Sequence, residues 1–239
     1  MRLTGGGGGA PVNIVILTGA GISAESGLGT FRDAGGLWAR FRIEDVATPE
    51  AYGRDPARVH AFYAMRRQEA AKAGPNAAHH ALARLEADPR HAVTLVTQNV
   101  DALHEAAGSR ALHMHGTLAG ALCAACGHRW TAPLAMDETT PCPSCDQTTA
   151  RPDVVWFGEI PRHLDEIDAA LSAADLFVAI GTSGEVYPAA GFVELAAAAG
   201  AETLEINLEP TSHRFARRLT GPVTRSVPDW VESLTGTAA

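Results

Sequence analysis

Short apolar runs recur along this chain, set apart by glycine-bearing turns and by segments in which apolar residues return at helical spacing. The first run, VNIVILT from Val12 to Thr18, is nearly continuous, which predicts a parallel strand covered on both faces. It ends at glycines. Helical periodicity follows from Pro56 to Ala73, and Pro75-Asn76 restarts a helix whose Ala78, Leu82 and Leu85 share one face. The run AVTLVTQ, Ala92 to Gln98, predicts the next strand. Further on come a helix over Leu164 to Ala173, the strand DLFVAIGT, an alanine-rich helix from Pro188 to Ala199 and the strand TLEINLE. Buried strands alternating with helices predict an α/β fold built on a doubly wound parallel sheet. Two stretches, 31–74 and 123–151, break the alternation and are expected to form a second, smaller lobe. The expected division is therefore a leader over 1–11, a sheet domain from 12–30, 75–122 and 152–236, a helical insertion over 31–74, and a cysteine module over 123–151.

Composition adds limits. At 239 residues, 46% hydrophobic and 19% charged, the chain has the make-up of a globular protein and can bury one good core plus a smaller module. A net charge of -8 argues against the clustered lysines and arginines that phosphate contacts require, so no direct binding of nucleic acid is expected. The opening MRLTGGGGGA lacks a basic segment, a long apolar stretch and a cleavage site, and no later apolar run is long enough to span a bilayer. The expected location is cytoplasmic, with no membrane partner. The glycines of residues 2–11 follow no strand, so they read as a flexible leader rather than a phosphate loop.

Four sets of residues carry candidate chemistry. Gly19-Ala20-Gly21-Ile22-Ser23-Ala24 is a G-x-G-x-x-A turn between a predicted strand and a helix, where backbone N–H groups can face a pyrophosphate. The plainer reading is a tight turn that needs glycine for its dihedrals. No acidic ribose ligand is recognisable some twenty residues on, which weakens an ordinary dehydrogenase reading. Cys123-x2-Cys126-x15-Cys142-x2-Cys145 has the spacing of a tetrahedral zinc site. Four thiolates would close the coordination sphere and make the metal structural; free buried thiols or a redox pair are the alternatives. His113 and His115, two apart, would share one side of an extended segment, and a lone histidine is more often a structural hydrogen-bonder than a base. Tyr63 and Arg66, three apart on a predicted helix, could jointly hold a carboxylate or simply form a half-exposed face.

Taken together with GAGISAESGLGTFRD (Gly19 to Asp33), TQNVD (Thr97 to Asp101), His115-Gly116, FGE (Phe157 to Glu159), GTS (Gly181 to Ser183) and INLEP (Ile206 to Pro210), these motifs give the chain a clear relation. It resembles the sirtuin family of NAD-dependent protein deacylases from about Val12 to Leu234. The resemblance implies a Rossmann-type large domain, a smaller zinc-binding and helical domain, and a cleft between them where NAD and acyl-lysine meet. Gly19, Ala20, Gly21, Ser23 and Ala24 would then line the pyrophosphate, with Phe31, Arg32 and Trp38 on a mobile loop over the nicotinamide side. Gln98, Asn99, Val100 and Asp101 would hold the nicotinamide ribose and carboxamide. Gly181, Thr182, Ser183, Asn207, Leu208, Glu209 and Val223 would line the adenosine half. Gly29 stands where many relatives carry a larger residue.

By the same resemblance His115 becomes the general base and Asn99 its catalytic companion, and zinc on Cys123, Cys126, Cys142 and Cys145 is structural. Phe157, Gly158 and Glu159, with the Gly184 to Tyr187 segment that includes Val186, would pair with the backbone of an acyl-lysine peptide. Tyr63, Arg66 and the small Ala47 resemble the subgroup that removes succinyl and malonyl groups. NAD would be a consumed co-substrate, the acyl group passing to ADP-ribose as nicotinamide leaves. The competing readings are a mono-ADP-ribosyltransferase, a general deacetylase, and a non-catalytic NAD-binding protein.

Overall fold

The computed structural model describes residues 11–29, 41–211 and 214–236. Strand β1 (Val12–Thr18) leads into a short helix α1 (Ala20–Ala24). Three helices follow, α2 (Ile43–Val46), α3 (Pro49–Arg54) and α4 (Pro56–Ala70), and then α5 (Ala77–Glu86). Next come β2 (His91–Thr97), α6 (Leu103–Ala106), β3 (Ala111–His113), β4 (Gly116–Cys123), β5 (Arg129–Thr131) and β6 (Ala150–Val154). The chain closes with α7 (Leu164–Ser172), β7 (Leu176–Ile180), α8 (Phe192–Ala198), β8 (Glu202–Asn207), β9 (Arg217–Thr220) and α9 (Val223–Thr235).

Six strands form one parallel sheet in the order β3-β2-β1-β7-β8-β9, the doubly wound Rossmann-type arrangement expected. Alternation along β1 explains its apolar run. Ile14 and Ile16 share a buried cluster with Ala78, Leu82 and Leu85 of α5 and with Val223, Val227, Trp230 and Val231 of α9. Val15 and Leu17 point the other way, into a cluster with Ile167 and Leu171 of α7 and Phe192, Val193 and Ala196 of α8. Both faces of β1 are covered, so its middle positions, Ile14 to Leu17, are all apolar.

The second lobe has two parts. A three-stranded antiparallel sheet, β5-β4-β6, carries the cysteines. Residues 116–122 and 152–154, expected with the large sheet, belong to this small one, because β4 turns back on β6 from Gly116 onward. Helices α2 to α4 pack against it: Val46, Ala47, Ala51, Val59, Phe62 and Tyr63 share a cluster with Leu118, Val154 and Trp156. Helix α4 begins at Pro56 with the Asp55 carboxylate accepting from the Arg58 N–H at 3.0 Å, and it ends at Ala70, three residues short of the sequence expectation. Among the described residues no helix is long and apolar enough to cross a membrane.

Candidate active site

The sheet reverses winding at β1, whose neighbours β2 and β7 lie on opposite sides, and the crevice at the carboxyl ends of such strands is where ligands of this fold bind. There the chain leaving β1 touches the chain leaving β7. Gly21 donates its N–H to the Gly181 carbonyl at 2.8 Å, and a Cβ on Gly21 would lie 2.8 Å from the Gly181 Cα. Gly181 itself sits at φ +61, where a Cβ would meet the Ile22 nitrogen at 2.5 Å. Glycine at both positions is thus demanded by backbone packing. With its N–H committed to Gly181, Gly21 can offer a ligand close approach rather than a hydrogen bond. Gln98 reaches across the same crevice to donate to Thr182 Oγ1 at 2.8 Å, and Asn207 Nδ2 donates to the Thr182 carbonyl at 2.8 Å. Ser183 lies half-buried beside them, Leu208 and Glu209 are exposed at the rim, and Val223 is buried at the start of α9.

Asn99 is buried at the end of β2. Its side-chain amide protons go to the Gly19 carbonyl and Ser23 Oγ, each at 3.1 Å, which leaves the amide oxygen to meet a ligand. Ser23 donates in turn to Asp101 Oδ2 at 3.1 Å, and Asp101 Oδ1 accepts from the Leu103 N–H at 3.1 Å. Burial raises the Asp101 carboxyl, and these two bonds offset only part of that rise. Behind Asn99 two hydrogen bonds converge on Thr97. Thr18 Oγ1 lies 3.0 Å from His104 Nε2 and donates to Thr97 Oγ1 at 2.8 Å, and Thr97 Oγ1 accepts the Asn99 N–H at 3.0 Å. Burial pushes His104 down to about 3 and its neighbour His79 to about 4, so both rings are neutral.

His113 and His115 have different partners. The Nδ1 of His115 lies 2.9 Å from the Gln98 carbonyl, which can only accept, so Nδ1 holds the proton and Nε2 carries the lone pair. Burial lowers this ring's pKa against the pull of that carbonyl. His113 instead lies between the Asn99 carbonyl and the Glu105 carboxylate, each at 3.0 Å. Burial works against its charge, but the Glu105 hydrogen bond and charge prevail and raise it. A ring donating from both nitrogens has no lone pair to take a proton.

On the lobe side, Tyr63 is buried and Arg66 half-buried on one face of α4, with the guanidinium carbon 5.9 Å from the Tyr63 ring centroid. Burial lowers the Arg66 pKa against the opposing pull of Tyr63, Asp101 and Glu69. Ala47 is buried in the same cluster, and its carbonyl accepts the Phe157 N–H at 3.0 Å. Residues 157–159 form a turn in which the Glu159 N–H meets the Trp156 carbonyl at 3.0 Å. The Glu159 carboxylate is held by Arg151 at 2.6 and 2.9 Å and by the Trp156 N–H at 2.8 Å, so what it can offer a peptide is backbone. Phe157 and Val186 are exposed large apolar side chains.

The four cysteine sulfurs all lie within 4.8 Å of one another, with Cys123 to Cys145 at 3.6 Å and Cys126 to Cys142 at 3.7 Å. A tetrahedral zinc with Zn–S bonds of about 2.3 Å sets its sulfurs about 3.8 Å apart, whereas a disulfide closes to about 2.05 Å. The set fits zinc. The two turns repeat one geometry: Gly127 (φ +73) and Asp146 (φ +57) each follow the second cysteine, and their N–H groups donate to the carbonyls of Cys123 and Cys142 at 2.9 Å. Cys123, Cys126, Cys142 and Cys145 would hold the ion, which supplies a cross-link between the two turns and has no ligand position left open.

Phe31, Arg32 and Trp38 lie outside the described residues, as does almost all of the 1–11 leader. The other expected site residues gather at the carboxyl edge of the sheet or on the lobe facing it. Sequence reasoning passed over Trp156 and Arg151, and over the Thr18-Thr97-His104 chain. The signal available for Trp156 was its place directly before the FGE motif.

The fold described here is that of a Rossmann-type α/β protein carrying a zinc module. The Sir2 family model matches residues 19–188, and the chain belongs to that family. An NAD-dependent protein deacylase of Caulobacter vibrioides is 54% identical over 232 residues, covering 93% of this chain and 97% of the relative. Among solved structures, a Sir2 homolog–NAD complex superposes with a TM-score of 0.85 at 38% identity, covering 92% of this chain and 88% of that one. A Sir2 protein bound to acetylated peptide gives a TM-score of 0.78 at 27% identity, with 92% of each chain covered.

Proposed function

We propose that this chain is an NAD-dependent protein-lysine deacylase that prefers acidic acyl groups, succinyl and malonyl, and works in the cytoplasm. Membership of the Sir2 family and the deacylase relatives support the NAD-dependent activity. Paired thiolates set for zinc rather than a disulfide suit a reducing compartment. The acyl carbonyl oxygen attacks the ribose carbon bearing nicotinamide, and nicotinamide leaves. His115 Nε2 then takes the proton of a ribose hydroxyl as that oxygen attacks the carbon of the imidate so formed; the lysine amine leaves with its bonding pair, and addition of one water gives O-acyl-ADP-ribose. Asn99, fixed through Gly19 and Ser23, orients the reacting ribose and its water. The peptide backbone lies between residues 157–159 and 184–187, so selectivity comes mainly from the acyl group.

The acidic preference rests on one observation: Arg66 and Tyr63 share the helix face beside the small Ala47. In a chain of net charge -8 an anionic acyl group needs a local cation and donor. Charge-assisted hydrogen bonds to such a carboxylate contribute roughly 1.5–3 kcal/mol each, about a tenfold to hundredfold effect on kcat/KM. Arg66→Met is therefore expected to cut desuccinylation by that factor and leave deacetylation nearly unchanged. An equal loss on both substrates would make the protein a general deacetylase.

A further inference from the structure

Tyr63 does not stand alone under the acyl group. Its phenol oxygen accepts a hydrogen bond from the indole Nε1–H of Trp156 at 3.0 Å, and both rings are almost completely buried, at 1% and 2% exposure. An indole N–H can only donate. The phenol oxygen is thus the acceptor in this bond, and its own proton must be offered elsewhere. Burial also pushes the Tyr63 hydroxyl up, against the pull of Arg66 and Trp156, so it stays a protonated donor.

Trp156 is in turn held at three points. Its backbone N–H donates to Glu159 Oε2 at 2.8 Å. The Arg151 guanidinium lies 3.5 Å from the indole centroid, and that guanidinium is gripped by Glu159 at 2.6 and 2.9 Å and by the Val154 carbonyl at 3.0 Å. The Tyr52 ring lies 5.2 Å away, and its own hydroxyl donates to the Ala150 carbonyl at 2.8 Å. The indole is clamped.

We infer that Trp156 is a specificity-positioning residue: by occupying the acceptor side of the Tyr63 phenol, with Arg151 and Glu159 fixing the indole, it turns the Tyr63 proton toward the distal carboxylate of an acidic acyl group. A phenol free to rotate could present a lone pair instead, which repels a carboxylate. Held as a donor beside Arg66, it discriminates by charge and by hydrogen bonding together. An acetyl group ends in a methyl and takes neither contact.

This inference rests on the acidic-acyl reading above, and the test separates the two. Trp156→Phe keeps a ring for Arg151 and Tyr52 and removes the N–H donor together with part of the buried ring volume. Desuccinylation kcat/KM is expected to fall about three- to tenfold, mainly through KM for the succinyl peptide, with deacetylation within about twofold. The ratio of the two activities on one preparation is independent of the folded fraction, so a destabilised variant still gives an answer. In a Tyr63→Phe background, where no phenol proton remains to be aimed, Trp156→Phe should leave that ratio unchanged. An unchanged ratio in the single variant, or a full further fall in the double variant, overturns the role of Trp156. Arg66→Met run alongside tells which reading fails: a selective Arg66 effect without a Trp156 effect removes only the positioning role, whereas no selectivity in either removes the acidic-acyl reading itself.

Discussion

His113 and His115 stand two residues apart on one strand end, yet only one of them has a lone pair to use. The Gln98 carbonyl fixes the tautomer of His115, while the Asn99 carbonyl and Glu105 carboxylate take both protons of His113. Because burial holds His115 below its ordinary value of 6.5, its neutral form persists to lower pH. A general base acts only when unprotonated, so the acid limb of kcat/KM should lie below pH 6.5. His115→Ala should remove that limb, cut deacylation by about 10²- to 10⁴-fold and leave the melting temperature near the parent's. A pH profile measured from 5 to 9, with circular dichroism on the variant, checks both; turnover near the parent level in the folded variant would take His115 out of the mechanism. In the sequence the two histidines differed only through resemblance. What separates them physically is the choice of carbonyl and carboxylate partners, and those come from β2 and α6.

At the scale of elements, the legible features were those with a local cause. Strand β1 shows as an apolar run because both faces are covered, and the paired cysteine turns show because each needs its two ligands three residues apart. Other elements lack such a cause. Strand β9 carries Arg217, Arg218 and Thr220 because it is the edge of the sheet, where charged positions are tolerated and the apolar signal fades. Helix α9 does place Val223, Val227, Trp230 and Val231 on one face, but Pro228 in its middle masks the helix signal. The Trp156–Tyr63 bond joins residues 93 apart and could come only from the packed structure. Zinc bears on the small sheet most directly, because Cys123 ends β4 where it pairs with Ala150 of β6. Cys123→Ser or Cys142→Ser should lose one zinc per chain and lower the thermal midpoint, since structural zinc contributes folding free energy directly. Metal analysis with a melting curve tests this; a zinc-free protein of unchanged stability would reject the assignment.

For the whole molecule, the parallel sheet supplies a rigid edge, and in the proposed function the small lobe supplies the acyl-side face. The glycine contact between Gly21 and Gly181 brings the β1 and β7 ends together, β2 adds Asn99, and the segment after β3 adds His115. Facing them, α4 brings Tyr63 and Arg66, set by the cluster it shares with Leu118, Val154 and Trp156 of the small sheet and its exit. On the proposed reading, chemistry and selectivity are carried by different parts of the chain, one by the sheet edge and the other by the lobe. The central claim is that NAD cleavage serves acyl transfer, and mass spectrometry of the products from NAD and a succinyl-lysine peptide tests it most directly. Acyl transfer yields free lysine peptide, nicotinamide and O-succinyl-ADP-ribose in equal amounts. Nicotinamide release that does not depend on the acyl peptide, or ADP-ribose mass retained on protein without loss of the acyl group, would contradict it.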